Sequence, residues 1–449
     1  MLLLTFTSEA QPVTKIAGGL FHSLFLKSDG SLWAMGNDAY GQLGDGTYGS
    51  IFSGINLPEE IVASNVTAIA GGEYHTLFLK NDGSLWAMGD DKFGELGDGV
   101  SNTPSLTGPN ASTNLPEQIV ASNVTAIAAG AYFSLFLKSD GSLWGMGDNY
   151  QGQLGDGTYN YTNQPEMIVA SNVTAVATEG STSLFLKCDG SLWAMGLNNL
   201  GQLGDGTFNN TNRPEMIVAS NVTVIAAGDA HSLFLKSDGS LWAMGDNDGG
   251  QLGDGTYNNA DLPEQIVASN VTAIAGGGAH TLFLKSDGSL WAMGLNDRGQ
   301  LGGGNYSNVY PYDSTNLPEE IVASNVTAIA AGDGQSLFLR SDGSLWAMGD
   351  NYFGELGDGT YNNTNRPELI VASPPGYNQI SIQLLSGGNV SLSFVGMTGT
   401  NYALDWTTSL APPNWVPQLT NPAGVGGVLV FTNTPDATTN NFWRIRSVP

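Results

Sequence analysis

Lys236-Ser-Asp-Gly-Ser-Leu-Trp242 is the most informative segment of this 449-residue chain, because close variants of it occur seven times. The seven copies end in tryptophans spaced 49 to 58 residues apart, at Trp33, Trp86, Trp144, Trp193, Trp242, Trp291 and Trp346. Self-similarity at a period of about 50 residues is typical of propellers and solenoids, in which each repeat packs against its neighbours. The repeat therefore predicts seven similar units.

The copy that begins at Val222 shows how one unit is built. Val222-Thr-Val-Ile-Ala and His231-Ser-Leu-Phe-Leu-Lys are strand-like runs. Ser237-Asp-Gly is a tight hairpin, because Gly supplies the positive φ that such a turn needs. Ser240-Leu-Trp-Ala-Met is a third strand, and a long glycine-rich loop separates it from a fourth, Pro263-Glu-Gln-Ile-Val, with Pro at its start. Four strands without a helix signal predict one antiparallel sheet per repeat.

The strands are apolar on both faces, as expected for sheets packed between two neighbouring sheets. Seven four-stranded blades lie within the range of β-propellers. An open solenoid is the alternative, but it needs atypical terminal repeats, and the first and last copies resemble the middle ones. We therefore predict an all-β fold with a seven-bladed propeller over residues 1–373. The run Leu2 to Phe6 is expected to pair with the last blade.

The composition changes at Ser373-Pro-Pro-Gly376, which is a linker signal. Residues 374–449 lack the repeat and contain five strand-like runs, which begin at Ile380, Val390, Tyr402, Val428 and Phe442. This pattern predicts a small C-terminal β-sandwich. The segment looks like C-terminal modules of bacterial surface or secreted proteins.

The repeat carries a longer motif, shown best by Gly228 to Gly255. It reads Gly-x-x-His-Ser-Leu-x-Leu-Lys-x-Asp-Gly-x-Leu-Trp, followed in register by Gly-Gln-Leu-Gly-Asp-Gly. The motif resembles the regulator of chromosome condensation repeat family over about residues 13–373, and the resemblance implies a seven-bladed propeller. Met replaces the usual aromatic residue before the post-Trp Gly, and Glu95 and Glu355 replace Gln. The resemblance does not imply the exchange-factor activity of eukaryotic members, because that activity belongs to particular loops. Their chromatin-binding side needs basic charge, which this chain lacks.

The charge of the chain argues against several partners. Lys and Arg total 14 against 41 Asp and Glu, which gives a net charge of −27. Such a surface repels nucleic-acid phosphates and anionic lipids, so we expect no nucleic-acid partner. Half of the basic residues precede the Asp of their own turn, where we expect local pairing: Lys27, Lys80, Lys138, Lys187, Lys236, Lys285 and Arg340. No apolar stretch reaches the roughly 18 residues of a membrane span.

The copies differ mainly in the loops that follow the first and third strands, which share one face of a ring of such sheets. Aromatic residues in these loops come from copies 7, 1, 2 and 3, whereas copies 4 to 6 contribute small and acidic residues. The candidate binding residues are Phe21, Tyr40, Tyr74, Phe93, Tyr132, Tyr150, Tyr352 and Phe353. Tyr and Phe are typical interface anchors, which predicts recognition of a protein or a glycan. The alternative is that these loops vary because loop tips tolerate change.

The residues that could carry chemistry are few. Four copies have His at one position and the others do not: His22, His75, His231 and His280, against Phe133, Thr182 and Gln335. Because Phe also occurs at this position, a structural, hydrogen-bonding role of the histidines is favoured over a ring of metal ligands. All four histidines share this position, so no evident base remains for a nucleophilic triad. Loops such as Asp246-Asn-Asp-Gly-Gly contain side-chain oxygens of the kind that bind calcium. The stabilisation of Asx turns explains the same residues more simply. We expect no cofactor, with calcium as the alternative.

These observations favour a monomeric, non-enzymatic binding scaffold. The alternative is a carbohydrate-active enzyme that uses acidic residues of the same face. Cys188 is the single cysteine, so no intrachain disulfide forms. The C-terminal module favours a location outside a bacterial cell or on its surface, and the cytoplasm is the alternative, since Met1-Leu-Leu-Leu lacks the basic segment of a signal peptide.

Overall fold

The computed structural model describes residues 11–50, 52, 54–100, 112–307, 313–374, 380–385, 389–395, 401–407, 416–422, 428–433 and 442–448. Over these ranges the regular structure is entirely β, with no helix. The described part of the chain therefore contains no helix that could span a membrane. Strands β1 to β28 form seven sheets of four strands, which we call blades 1 to 7.

The first four blades take their strands in chain order. Blade 1 contains β1 (Val13–Gly18), β2 (His22–Lys27), β3 (Leu32–Asn37) and β4 (Gly54–Val62). Blade 2 contains β5 (Val66–Gly71), β6 (His75–Lys80), β7 (Leu85–Gly89) and β8 (Thr113–Val120). Blade 3 contains β9 (Val124–Ala129), β10 (Phe133–Lys138), β11 (Leu143–Gly147) and β12 (Thr162–Val169). Blade 4 contains β13 (Val173–Glu179), β14 (Thr182–Lys187), β15 (Leu192–Gly196) and β16 (Thr211–Val218).

The remaining three blades follow the same order. Blade 5 contains β17 (Val222–Ala227), β18 (His231–Lys236), β19 (Leu241–Gly245) and β20 (Ala260–Val267). Blade 6 contains β21 (Val271–Gly276), β22 (His280–Lys285), β23 (Leu290–Leu295) and β24 (Ser314–Val322). Blade 7 contains β25 (Val326–Ala331), β26 (Gln335–Arg340), β27 (Leu345–Gly349) and β28 (Thr364–Val371).

The seven blades close into a ring. The first strand of each blade contacts the first strand of the next, and β25 of blade 7 contacts β1 of blade 1. Across this last junction the backbone N–H of Val13 donates to the carbonyl of Gly343 at 3.1 Å. The predicted seven-bladed propeller is confirmed, and the open solenoid is wrong. The pairing expected for Leu2 to Phe6 lies outside the described residues.

Each blade is buried on both faces, as its apolar pattern predicts. Leu24, Leu26 and Leu43 of blade 1 pack in one cluster with Phe78 and Met88 of blade 2. The same arrangement recurs at the other junctions, including the closing one between blades 7 and 1. Neighbouring blades therefore share their cores, which explains why one repeat alone cannot bury its apolar residues.

The repeated hairpin is stabilised by its own polar side chains. In blade 5 the Ser240 hydroxyl donates to Asp238 at 2.6 Å, and Trp242 Nε1 donates to the Ser240 hydroxyl at 2.9 Å. The Lys236 ammonium lies 3.7 Å from the centroid of the Trp242 ring. The predicted pairing of these cations with Asp is therefore replaced by a cation–π contact. Among the described residues of blades 1 to 7, the ion pairs within 4.0 Å all involve Arg298.

The fourth strand begins earlier than predicted. Strand β20 starts at Ala260, so Pro263 lies within the strand rather than at its start. Ala243 pairs with Glu264 and Gly245 pairs with Ala260, which leaves Pro263 in a register shift between the two pairs. An outer edge strand with a bulge tolerates Pro, because no ladder hydrogen bond is needed there.

The C-terminal segment forms two three-stranded sheets. One contains β29 (Ile380–Leu384), β30 (Val390–Val395) and β33 (Val428–Asn433), and the other contains β31 (Asn401–Thr407), β32 (Val416–Pro422) and β34 (Phe442–Val448). Leu392, Leu404 and Phe431 belong to one shared core, so the predicted small β-sandwich is confirmed. The sequence pattern missed β32, which contains Pro417 and ends at Pro422. The domain boundary at residues 373 and 374 stays a prediction.

Candidate functional site

The eight predicted binding residues form one continuous group on the face that carries the loops after the first and third strands. We call this group the aromatic arc: Tyr352, Phe353, Phe21, Tyr40, Tyr74, Tyr132, Phe93 and Tyr150. It crosses the junction at which the ring closes. Its role in binding stays a prediction.

The first half of the aromatic arc joins blade 7 to blades 1 and 2. The rings of Tyr352 and Phe353 have centroids 4.8 Å apart, and Phe353 lies 5.1 Å from Phe21. Phe21 lies 6.1 Å from Tyr74, which is itself 4.9 Å from Tyr40. Tilted and edge-on contacts at these distances are favourable for aromatic pairs.

The second half of the aromatic arc runs from blade 2 into blade 3. The Tyr74 ring lies 6.0 Å from that of Tyr132, and Phe93 lies 5.5 Å from Tyr132 and 5.8 Å from Tyr150. Tyr161, which the sequence pattern did not single out, extends the row at 6.4 Å from Tyr150. Tyr150 and Tyr352 are 51% and 58% exposed, so the two ends of the arc offer the most accessible surface.

The Gly-Gln-Leu-Gly element positions the loop after the third strand. In blade 1, Gln42 Oε1 accepts the backbone N–H of Tyr40 at 2.9 Å, and Gln42 Nε2 donates to Asn37 Oδ1 at 3.0 Å. The backbone N–H of Leu43 donates to Asp38 Oδ1 at 3.0 Å. The Gln side chain is fully buried. It therefore holds the backbone that presents the aromatic ring.

A depression of about 130 Å³ lies beside the aromatic arc, and its lining includes Glu73, Glu179 and Asp229. Glu179 also lines the central channel formed by the first strands of the blades. We call Glu73, Glu179, Asp229 and Asp333 the acidic mouth, because their charges act on one another. These acids come from blades 2, 4, 5 and 7, so acidic residues of this face are not confined to copies 4 to 6.

Burial disfavours the charged forms of the acidic mouth. It raises the pKa of Glu73 to about 7, although hydrogen bonds from Tyr74 and Tyr132 favour its carboxylate. Burial raises the pKa of Glu179 well above its ordinary value, and the charges of Asp229 and Asp333 raise it further. Arg298 offsets part of this charge, since its Nη1 lies 3.4 Å from Asp333 and 2.5 Å from Asp350.

Glu179 is a site residue that the sequence pattern missed. It stands where the other six copies have glycine: Gly19, Gly72, Gly130, Gly228, Gly277 and Gly332. In those copies a side chain three residues later packs against the glycine. A Cβ on Gly72, for example, would meet the His75 ring at 2.4 Å. Blade 4 has the smaller Thr182 at that position, which leaves room for Glu179. Comparison of the copies at this glycine could have found it.

The four histidines that share one repeat position join neighbouring blades. His22 Nε2 lies 2.9 Å from the Thr76 hydroxyl, which donates to the carbonyl of Gln42 at 2.8 Å. Because that hydroxyl proton is used, Nε2 carries the proton of His22 and Nδ1 is left without a partner. Burial lowers the pKa of His22 to about 4, so the ring is neutral. The geometry agrees with the expected structural role.

The acidic loops do not assemble a metal centre within the described residues, where no three His, Cys, Asp or Glu side chains form a group suited to a metal ion. Calcium binding, the alternative to the absence of a cofactor, is therefore supported only by the sequence pattern of these loops.

Comparison with known proteins identifies the family. The RCC1-like domain model matches residues 168–404, and models of the regulator of chromosome condensation (RCC1) repeat match segments between residues 13 and 153. The chain belongs to the RCC1-like domain family.

Individual relatives of this RCC1-like protein match over a shorter length. Human Protein RCC2 is 34% identical over 136 residues, which cover 30% of this chain and 24% of that protein. The Protein RCC2 homolog of Xenopus laevis is 34% identical over 146 residues, which cover 31% of this chain and 26% of that protein. The matched part thus spans about a quarter of these relatives. They are eukaryotic, and the bacterial, extracellular location stays a prediction.

Solved structures agree on the fold of this RCC1-like protein. Human WBSCR16 has a TM-score of 0.63 at 24% identity, covering 72% of this chain and 85% of that one. Yeast RCC1 (Prp20), solved bound to Kap60, has a TM-score of 0.65 at 21% identity, covering 83% and 87% of the two chains. At this identity the likeness establishes the propeller fold alone.

Proposed function

We propose that this RCC1-like propeller is a non-enzymatic scaffold that binds a protein partner on the face formed by the aromatic arc and the acidic mouth. The observation that carries the proposal is the continuity of the arc across four consecutive blades. Aromatic rings are enriched in the energetically dominant parts of protein interfaces. Relatives of the same fold support a protein partner, since yeast RCC1 was solved bound to Kap60.

The charge of the face indicates the chemistry of the partner. The acidic mouth places four carboxyl groups beside the aromatic rings, and Arg298 pairs with one of them, Asp333. A lysine or arginine of the partner would stabilise the charged forms of Glu73 and Glu179, which burial otherwise disfavours, and it would also pack well against Tyr74 or Tyr132. We therefore propose that the partner presents a basic side chain to the acidic mouth.

Paired variants with a matched control test this proposal. Tyr150 and Tyr352 are the most exposed members of the arc, so their joint replacement by Ala removes contact area with little loss of packing. Phe208 is 53% exposed on blade 4, outside the arc, and Phe208→Ala is the control. Partners are identified by photo-cross-linking from position 352, purified, and measured by calorimetry with each variant.

We expect Tyr150→Ala/Tyr352→Ala to weaken partner binding at least tenfold, which is about 1.4 kcal/mol, while the melting temperature stays close to that of the wild type. Glu73→Gln and Glu179→Gln together are expected to weaken binding and to reduce its dependence on salt. Phe208→Ala should bind normally. Wild-type affinity in the double tyrosine variant would exclude the arc as the binding surface.

The carbohydrate-active enzyme is the second candidate. Glu73, with a pKa of about 7, lies in the same acidic mouth as Asp229, and a protonated acid beside a carboxylate is what glycoside hydrolysis uses. Incubation with a polysaccharide panel and mass spectrometry of the products tests this alternative. Products that disappear in Glu73→Gln would favour it over the scaffold.

A further inference from the structure

Two amide side chains close the loop after the third strand in most blades. In blade 3, Gln153 Nε2 donates to Asp148 Oδ2 at 3.0 Å, and Asn149 Nδ2 donates to Asp156 Oδ1 at 3.0 Å. In blade 5 the equivalent bonds, from Gln251 to Asp246 and from Asn247 to Asp254, measure 2.8 and 3.1 Å. At both positions an amide N–H meets a carboxylate.

Carboxyl groups replace these amides at four positions. Glu95 and Glu355 stand at the Gln position, and Asp38 and Asp91 stand at the Asn position. The four replacements lie in blades 7, 1 and 2, whose loops carry Tyr352, Phe353, Tyr40 and Phe93 of the aromatic arc. The substitutions thus coincide with the part of the face that the arc occupies.

Glu95, Glu355 and Asp91 keep the accepting bond and lose the donating one, whereas Asp38 Oδ2 still accepts a hydrogen bond from the Thr47 hydroxyl at 3.4 Å. Glu95 Oε2 accepts the backbone N–H of Phe93 at 2.7 Å, and Glu355 Oε2 accepts that of Phe353 at 2.7 Å. Both side chains are fully buried, and Oε1 of each has no hydrogen-bond partner. Asp91 Oδ2 is likewise buried without a partner.

Other acids stand opposite these carboxyls. The charges of Asp90 and Asp91 act on Glu95, and that of Asp350 acts on Glu355. Asp98, Asp90 and Glu117 act on Asp91, and Asp45 acts on Asp38. The facing cations are Arg298, which acts on Glu355, and Lys92, which acts on Asp90. Where blades 3 and 5 have an amide and a carboxylate, the replaced positions have two carboxyl groups.

A carboxylate cannot donate a hydrogen bond, whereas a carboxylic acid can. We propose that Glu95, Glu355 and Asp91 each bind a proton that replaces the missing amide N–H, and that these protons hold the loops of the aromatic arc in place. Loss of the protons leaves facing carboxylates in a buried site, which loosens the loops. The aromatic arc is therefore ordered at low pH and released at high pH.

The protonation equilibria agree with this arrangement. Burial, together with the charge of Asp350, raises the pKa of Glu355 to about 8. Burial also raises the pKa of Asp91 to about 8. For Glu95 burial raises the pKa well above its ordinary value.

The sign of the pH effect follows from linkage. The folded chain holds these protons at pH values at which the unfolded chain has released them, so stability falls as the pH rises. The contribution is complete below the ordinary values of 3.8 and 4.5 for Asp and Glu, and it is lost as the pH passes about 8. Each carboxyl makes loop opening up to about tenfold easier per pH unit within this window.

Hydrogen exchange of the purified full chain tests the proposal without any partner. After correction for the intrinsic pH dependence of exchange, wild-type peptides spanning residues 89–100 and 349–360 should lose protection by at least tenfold between about pH 6 and pH 8. In E95Q/E355Q the amide restores the donor, so this loss should become several-fold smaller. The reciprocal variant Gln251→Glu should create the same loss in residues 245–256 of blade 5.

Equal pH dependence in the wild type and E95Q/E355Q, or none in Gln251→Glu, would overturn the proposal. The consequence for binding rests on the proposed function: partner affinity should fall with rising pH in the wild type and fall less in E95Q/E355Q. If hydrogen exchange follows the prediction but the aromatic arc binds no partner, the proposal that protons order these loops is supported and the proposed function is wrong. If the arc binds its partner while the exchange effect is missing, the proposed function stands and the proton-held loops fail.

Discussion

Glu179 and Thr182 pair across the neighbouring strands β13 and β14, and both depart from the residues that the other copies hold. In the other copies, a large side chain three residues later packs against the glycine. In blade 5, for example, a Cβ placed on Gly228 would lie 2.2 Å from the His231 ring. A carboxylate side chain and a large ring cannot share this space. The small Thr182 therefore makes the acidic mouth compatible with the propeller core.

Replacement of Thr182 by His should destabilise the protein, because the imidazole would overlap Glu179. We expect a loss of about 1 to 3 kcal/mol in the free energy of unfolding, as is typical of an overpacked core. The double variant Glu179→Gly/Thr182→His restores the pattern of the other copies and should recover most of the loss. Denaturant unfolding of the three proteins measures both effects. Equal destabilisation of the single and double variants would contradict the shared-space explanation.

The histidines should contribute to stability through the bond between blades. His75 Nε2 lies 2.9 Å from the Ser134 hydroxyl of blade 3, and the ring is fully buried. His75→Ala removes this bond and leaves a cavity, which should cost about 2 to 4 kcal/mol. His75→Gln should cost less, because Gln335 occupies the equivalent position and donates to the carbonyl of Gly19 at 2.9 Å. Unfolding by denaturant at pH 7 ranks the variants.

The same histidines should make the protein sensitive to acid. Burial lowers the pKa of His75 to about 3 and that of His231 to about 4, from 6.5. Since the unfolded chain takes up these protons first, their contribution is present above pH 6.5 and is lost as the pH falls toward 4. His75→Gln should flatten the stability profile between about pH 6.5 and pH 3. An unchanged slope in this variant would show that other groups dominate acid unfolding.

Arg298 should stabilise the junction between blades 6 and 7. Its guanidinium contacts Asp350, whose side chain is only 7% exposed, as well as the more accessible Asp333. Arg298→Gln leaves the buried carboxylate without its cation, which should cost about 1 to 3 kcal/mol. Asp350→Asn in the same chain should recover part of this cost, and a double-mutant cycle gives the coupling energy. Additive effects would show that the pair is not coupled.

Arg213 provides the control for this experiment. It is exposed on blade 4 and forms no ion pair within 4.0 Å among the described residues. Arg213→Gln changes the net charge by the same amount as Arg298→Gln, but its effect should stay within about 0.5 kcal/mol. A similar loss in both variants would attribute the effect to net charge rather than to the junction.

Sequence patterns predicted those structural elements correctly whose cause lies within a few residues of chain. The Asp-Gly hairpin and the apolar runs around it predicted three of the four strands of each blade, because turn chemistry and strand propensity act within a few residues. Sequence patterns gave wrong predictions where contacts with neighbouring strands determine the structure. Pro263 lies inside an edge strand because the bulge there needs no hydrogen-bond donor. Lys236 likewise lies over Trp242 rather than beside Asp238, because antiparallel pairing places the indole within its reach.

The aromatic arc was predictable as a set of residues but not as a contact network. Comparison of the copies selected all eight members, since the variable loops share one face of any ring of such sheets. The neighbours Phe21 and Phe353 meet because the ring closes, and that distance of 5.1 Å depends on the sizes of all seven blades. Glu179 was missed because its significance depends on the space beside Thr182.

The sequence is sufficient to specify a ring of seven four-stranded blades, because a repeated unit with two apolar faces buries both only between copies of itself. It also determined which loops vary. Which of those loops meet depends on the folded ring, since blades 1 and 7 lie at opposite ends of the repeats and become neighbours on closure. Burial in that structure, which composition does not reveal, raises the pKa of Glu355 to about 8 and thereby alters the chemistry of the face.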